Sequence, residues 1–123
     1  MIGSELDAIR VVMLDYVEGM AWGDMDRLRR CFHPRGLQVG HFRGDYEFFT
    51  GEEFIAWAEK EPAQPPGSPY EAEIVSIDIT GDVAVVKVTD TVYETSFTDY
   101  LTLSKREGTW RIICKAYFVH GPG

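Results

Sequence analysis

Residues 97–118 read FTDYLTLSKREGTWRIICKAYF, and this stretch decides the fold because it holds two alternating strands around a turn. Apolar residues recur at every second position on both sides of REGT, which is the period of a β-strand. The stretch therefore predicts an antiparallel hairpin. Asp99 has the same parity as Phe97 and Leu101, so a carboxylate lies on the apolar face of its strand. Because a buried charge must be paired, protonated or hydrated, Asp99 is a candidate functional residue.

The second strand of the hairpin has two unlike faces. Strict alternation predicts one face with Trp110, Ile112, Cys114, Ala116 and Phe118, and another with Arg111, Ile113, Lys115 and Tyr117. Ile113 and Tyr117, together with Tyr100 of the preceding strand, predict an apolar patch on the outer face of the sheet. Such a patch favours a homodimer through that face. The alternative is a set of scattered surface aromatics.

The residues upstream of the hairpin predict helices first and strands later. Asp24 caps the second helix, which stops before Pro34, and Thr50 with Glu53 forms the capping box of a third. Strands packed on one side by helices make an α+β domain with a mostly antiparallel sheet. The predicted elements are a helix ending at Gly23, helices over 25–32 and 51–60, a weak strand region over 37–49, a proline-rich loop over 62–69, and strands over 70–79, 83–93, 97–105 and 110–119.

Composition predicts one globular domain over residues 1–123, with 45% hydrophobic residues and a net charge of -8. There is no long basic run, so no nucleic-acid partner is expected. No stretch approaches the ~20 apolar residues of a membrane span, and no signal-peptide pattern is present, which predicts a cytoplasmic protein without a membrane partner. The two cysteines and three histidines lack the spacing of metal ligands, so neither a metal nor a cofactor is expected.

Two stretches that frame the chain carry a resemblance to a known family. They are YVEGMAWGDMDRLRRCFHP (residues 16–34) and the hairpin FTDYLTLSKREGTWRIICKAYF. The chain resembles the nuclear transport factor 2-like superfamily, which includes ketosteroid isomerases, scytalone dehydratase and polyketide cyclases. Its DYLTL and GTWRIICK segments are most similar to the group described as "putative lumazine-binding". The resemblance implies a cystatin-like cone, in which N-terminal helices pack on a strongly curved sheet around an internal pocket, and a dimer through the outer face.

The same resemblance implies candidate catalytic residues. In ketosteroid isomerases a tyrosine of the first helix and a protonated aspartic acid of a strand form the oxyanion hole, and Tyr16 and Asp99 match their contexts. The carboxylate base of those enzymes has no counterpart, and His41 stands at about its place. His33 loosely matches a histidine of the dehydratases. The alternative is a core tyrosine that makes a structural hydrogen bond with Asp99.

Three functions are therefore open. In the first, the pocket binds a small, largely apolar ring compound by its carbonyl edge, which Tyr16 and Asp99 contact. The second adds general acid/base catalysis by His41 or His33, as in an isomerase, dehydratase or cyclase. The third is a dimeric protein-interaction module without chemistry. The predicted ligand-binding residues, which could equally be plain core, are Met13, Met20, Trp57, Phe97 and Trp110.

Overall fold

A computed structural model describes residues 2–92 and 94–122 of the chain. The order of helices and strands agrees with the prediction, and the weak strand region consists of two strands joined at Arg43 and Gly44. Tyr93, which the sequence assigns to a strand, lies outside the described residues. The elements are helices α1 (Ile2–Trp22), α2 (Met25–Cys31) and α3 (Gly51–Ala58), and strands β1 (Phe32–Phe42), β2 (Asp45–Thr50), β3 (Glu71–Thr80), β4 (Val83–Val92), β5 (Thr95–Arg106) and β6 (Thr109–Pro122).

The six strands form one curved sheet in the order β2-β1-β6-β5-β4-β3. The neighbours β1 and β6 run parallel, and every other pair is antiparallel. The three helices pack on one face, the inner face, and leave the other open to solvent. This confirms the predicted α+β cone with a mostly antiparallel sheet. The interior between helices and sheet is where a site can form.

Helix α1 covers the inner face with residues spaced by three and four. Ile9, Met13, Tyr16 and Met20 are all buried there against β4, β5 and β6. Helix α3 begins at the predicted capping box, in which the Thr50 side chain accepts from the Glu53 backbone N–H. The core is thus continuous from α1 through the sheet to α3.

The basic run at residues 27–30 joins α2 to α1. Arg27 Nε and Arg30 donate to the two carboxylate oxygens of Asp15 at 2.8–3.0 Å, and Arg27 also contacts Glu18 at 2.6 Å. The hydrogen bond from Arg30 holds the pKa of the Asp15 carboxyl below its usual value. Asp15 precedes Tyr16 directly, so this ion-pair cluster also fixes the part of α1 that carries the tyrosine.

The inner face of β6 differs from the prediction. The pairing of β5 with β6 shifts at Ile113, which is the extra residue of a β-bulge. Beyond the bulge the alternation reverses, so Lys115 and Tyr117 face the helices and Phe118 faces solvent with 64% of its surface exposed. The prediction of Tyr117 on the outer face was therefore wrong. Ile113 and Tyr100 do lie exposed on that face.

Two kinds of feature are missing from the part of the chain that the structure describes. None of its helices combines the length and the apolar character needed to cross a lipid bilayer. Its His, Cys, Asp and Glu side chains form no group of three that could hold a metal ion.

Candidate functional site

Helix α1 and strand β5 bring Tyr16 and Asp99 together in the interior. The Tyr16 hydroxyl donates a hydrogen bond to Asp99 Oδ2 at 2.8 Å, and each residue is only 1% exposed. Burial raises the pKa of Tyr16 well above its ordinary value, and the negative charge of Asp99 adds to this shift. The phenol therefore stays protonated and remains a donor. The two residues singled out by sequence are in contact, and their functional role stays a prediction.

A second carboxyl group, which the sequence analysis missed, lies beside Asp99. Asp90 on β4 is 8% exposed. Asp99 on β5 pairs with Val88, and Asp90 lies two residues further along β4, opposite Phe97. The two carboxyls are therefore diagonal neighbours on the inner face. Burial raises the pKa of Asp90 to about 8, the charge of Asp99 adds to the shift, and Lys115 opposes it. The two carboxyls therefore hold a proton at neutral pH.

Three buried oxygens of the interior accept no N–H or hydroxyl hydrogen bond from the described residues. They are Oδ1 of Asp90, Oδ1 of Asp99 and Oε1 of Gln38. A buried polar atom without a partner costs about 1–3 kcal/mol. These atoms are therefore ready-made hydrogen-bonding positions for a polar occupant of the interior.

Lys115 places an amine among aromatic rings, within electrostatic range of Asp90. The residue is 5% exposed, and its Nζ lies 5.0 Å from the ring centroid of Tyr16, 4.9 Å from that of Phe54 and 5.3 Å from that of Tyr117. It forms no salt bridge with the carboxylates that the structure describes. Cation–π contacts thus hold the amine where no direct ion pair does. The sequence analysis placed this residue outside because it did not foresee the bulge at Ile113.

Tyr117 brings a second phenol to the interior. Its hydroxyl donates a short hydrogen bond to Glu47 Oε1 on β2. Burial raises the pKa of Tyr117, and the bond to Glu47 raises it further. The ring lies flat against Gly40, since a Cβ at that position would come within 2.7 Å of the ring. The glycine and Glu47 together fix where this phenol points.

The opening into the interior is narrow. It measures about 20 Å³, and its lining includes Met20, Trp57, Phe97, Lys115 and Tyr117. That volume holds about one water molecule. Trp57 and Phe97 are only half-buried, so they form a rim whose side chains can move. An occupant larger than water requires this rim to open.

Larger depressions lie on the surface of the protein. A groove of about 420 Å³ runs between α1 and β3 and is lined mainly by apolar residues such as Val11, Leu14 and Ile74. Met13, predicted as pocket lining, contributes to this groove and to the core. The groove lacks the buried carboxyls, amine and phenols of the interior. On chemical grounds the interior is the candidate site despite its smaller volume.

The predicted histidines lie away from the interior opening. His41 is exposed on the outer face, with its ring 4.8 Å from that of Tyr46, because β1 turns Gly40 inward and the next residue outward. The prediction of His41 as a pocket base is thus corrected. His33 lies at the start of β1, where its Nδ1 accepts the backbone N–H of Arg35 at 3.1 Å.

The predicted ligand-binding residues divide between two places. Met20, Trp57 and Phe97 line the interior opening, and their role in ligand binding stays a prediction. Trp110 is buried elsewhere, and its Nε1 donates to Glu5 at 3.2 Å. Trp110 lies five residues before Lys115 on β6 and does not line the opening. It is therefore part of the core.

Comparison with known proteins identifies the family. The sequence profile of the family described as "Putative lumazine-binding" matches residues 4–118. The chain belongs to this "Putative lumazine-binding" family. The superfamily and the cone fold expected from the sequence are thereby confirmed.

Individual proteins similar to this "Putative lumazine-binding" chain include a named enzyme and several solved structures. The chain is 30% identical over 116 residues to "Aldolase FrzH" of Cladobotryum sp, covering 93% of this chain and 90% of that protein. An "NTF-2 like protein of unknown function" from Silicibacter pomeroyi is 29% identical, with a TM-score of 0.90 over 98% of this chain and 99% of that one. A "cystatin-like fold protein" from Burkholderia xenovorans, 14% identical with a TM-score of 0.67 over 95% and 92% of the two chains, shows the fold alone.

Proposed function

We propose that the interior of the cone binds a small, largely apolar ring compound by a carbonyl group. The observation that carries this proposal is the buried contact of Tyr16 with Asp99 beside Asp90, in which two carboxyl oxygens have no donor. In the complex the Tyr16 hydroxyl exchanges its hydrogen bond to Asp99 Oδ2 for one to the carbonyl oxygen, and the proton held by the two carboxyls is the second donor. The family description supports a small-molecule ligand.

Entry of a ring requires the rim to part, and the rim residues suit this movement. Trp57 and Phe97 offer flat apolar faces between which a ring can stack. Met20 beside them is unbranched and adapts its shape easily. The proposed occupant thus has its rings between these side chains and its carbonyl edge towards Tyr16 and Asp99.

The test is a binding screen with bicyclic and tricyclic ring compounds that carry carbonyl groups, lumazine among them. Affinity is measured by calorimetry, and the Tyr16 and Asp99 side chains are followed by NMR. Tyr16→Phe and Asp99→Asn should each weaken binding about 5- to 10-fold, since each removes one hydrogen bond of about 1 kcal/mol or slightly more. Tyr46→Phe, on the exposed outer face, is the control and should bind as wild type. If both interior variants keep wild-type affinity for every ligand found, the proposed contact is wrong.

Catalysis by general acid/base chemistry is the second candidate function. Asp90, with a pKa raised to about 8, can give or take a proton at neutral pH, which the sequence analysis had assigned to His41 or His33. Removal of a proton next to the carbonyl produces an enolate, which Tyr16 can stabilise. Isomerases, dehydratases and cyclases share this step, and an aldolase name on a 30% identical relative is consistent with it.

This candidate is tested by hydrogen exchange at carbon. A ring ketone found in the screen is incubated in D₂O with the protein, and loss of the α-proton signal is followed by NMR. The wild type should accelerate exchange, and Asp90→Asn should abolish the acceleration while Asp78→Asn, on the exposed part of β3, should not. Equal exchange with and without the protein would exclude proton abstraction for that ketone.

A homodimer through the outer face is the proposed assembly. The outer patch consists of five exposed apolar residues on strands β2, β5 and β6, namely Tyr46, Phe48, Tyr100, Ile113 and Phe118. With a net charge of -8, two copies repel each other, so an uncharged patch is the surface on which they can meet. In analytical ultracentrifugation Phe118→Ser should shift the protein from dimer to the 14.0 kDa monomer, whereas Val11→Ser on α1 should not. A wild type that sediments as a monomer at micromolar concentration would contradict this assembly.

A further inference from the structure

We propose that Lys115 is a covalent catalytic residue, which forms an imine with the carbonyl carbon of an aldehyde or ketone held in the interior. This inference rests on the proposed function, because it concerns the carbonyl group of the same occupant. Lys115 lines the interior opening, and its amine contacts three aromatic rings without a salt bridge to any carboxylate that the structure describes. An amine buried in such surroundings is the form of lysine used for imine chemistry.

The other three lysines of the chain lack these features. Lys105 pairs with Glu5 at 2.9 Å, and Lys87 lies on the outer face with its Nζ 5.6 Å from the ring centroid of Tyr100. Lys60 follows the end of α3 and is exposed. Lys115 alone among the four combines burial with a position on the opening. The contrast makes the other three natural internal controls.

The proposed step balances without a further reactant. The Lys115 ammonium passes one proton to the Asp90–Asp99 carboxyls, and the nitrogen lone pair then forms a bond to the carbonyl carbon. The C=O π electrons move to oxygen, and one of the two protons on the now positively charged nitrogen passes to that oxygen, which gives a neutral carbinolamine. The carbinolamine C–O bond breaks as the carboxyls return a proton to its hydroxyl, and one water leaves. Overall an ammonium and a carbonyl become an iminium and a water, with the total charge unchanged.

The surroundings suit both products of this step. The iminium keeps the positive charge of the ammonium, so the rings of Tyr16, Phe54 and Tyr117 stabilise it by the same cation–π contacts. The released water matches the opening of about 20 Å³. The iminium also acidifies the neighbouring C–H bonds, so a carboxylate of the pair can remove an α-proton and leave an enamine, the nucleophile of an aldol addition. The substrate class is therefore an aldehyde or ketone with at least one α-hydrogen.

The experiment traps the imine by reduction. The protein is incubated with acetaldehyde, a small aldehyde that needs little opening of the rim, and with sodium cyanoborohydride, whose hydride reduces the iminium carbon to a stable ethylamine. Peptide mass spectrometry then measures the labelling rate of each of the four lysines. Lys115 should be labelled at least about tenfold faster than Lys60, Lys87 and Lys105, in keeping with an activated nucleophile. Lys115→Met should lose this fast phase, and Lys87→Met should keep it.

Labelling of Lys115 at or below the rate of the other lysines in the wild type overturns the inference, and that readout requires no variant to fold. A parallel sample without reductant separates this failure from that of the proposed function. If acetaldehyde shifts the NMR signals of Tyr16 and Asp99 while Lys115 stays unlabelled, the imine is wrong and carbonyl binding stands. If neither the shifts nor the adduct appear, and the ring-compound screen is also negative, both are wrong.

Discussion

Asp90 should make the stability of this protein fall as the pH rises from 5 to 7. Burial raises its pKa from an ordinary 3.8 to about 8, so in this window the folded protein holds a proton that the unfolded chain has released. Each pH unit then removes up to about 1.4 kcal/mol of unfolding free energy. The loss from pH 5 to pH 7 is at most about 2–3 kcal/mol, and it levels off above pH 8, where Asp90 is ionised in both states. Three titratable groups face Asp90 in the interior, namely Asp99, Lys115 and Tyr16.

The variant Asp90→Asn keeps the shape of the side chain and removes its titration. Urea unfolding, followed by tryptophan fluorescence at pH 5, 6, 7 and 8, gives the unfolding free energy of wild type and variant. The difference between the two curves reports the titration of the Asp90–Asp99 pair, because groups outside the pair titrate in both proteins. Between pH 5 and pH 7 the unfolding free energy of the variant, relative to that of the wild type, should rise by about 2–3 kcal/mol. The same difference for the exposed control Asp78→Asn should not change. An Asp90→Asn curve parallel to that of the wild type would refute the assignment of the proton to Asp90.

Three further predictions concern residues around the site. Tyr16→Phe should lower the unfolding free energy by about 1–3 kcal/mol in urea titration, because Asp99 loses the donor at 2.8 Å, and an unchanged midpoint would contradict this. Gly40→Ala should cost a similar 1–3 kcal/mol or so and shift the NMR signals of Tyr117, since the new Cβ would come within 2.7 Å of the ring; unshifted signals would show that no clash arises. Cys31, whose pKa burial raises to about 12, should resist iodoacetamide at pH 8 until urea unfolds the protein, as measured by mass spectrometry, and rapid labelling of the native protein would contradict its burial.

The sequence predicts the inner face of β4 and β5 well, because alternation there is unbroken. The parity that places Asp99 inside also applies to Asp90, which shares its face with Val86 and Val88. Asp90 could therefore have been found from the sequence by the argument used for Asp99. The pattern that indicates it is a charged residue that continues an alternating series of valines on one face of the strand.

The inner face of β6 could not be predicted in this way. A β-bulge adds one residue, Ile113, and reverses the parity of everything after it, and no residue type in IICK announces that shift. Lys115 and Tyr117 were consequently placed outside. His41 failed for a related reason, since two glycines obscured the limits of β1 and with them the parity of its residues. The pairing register of a strand depends on its partner strand, so the sequence of one strand gives little information about it.

The polar groups of the interior are difficult to explain by stability alone. Asp90 and Asp99 occupy positions where the neighbouring residues on the same face, such as Val88 and Leu101, pack without unsatisfied atoms. A domain of this size has roughly 5–15 kcal/mol of stability in total, and orphaned buried oxygens at about 1–3 kcal/mol each take a sizeable part of it. Apolar residues at these positions would give a more stable cone, so the acids and the amine of Lys115 are best understood as parts of a site rather than as contributions to stability.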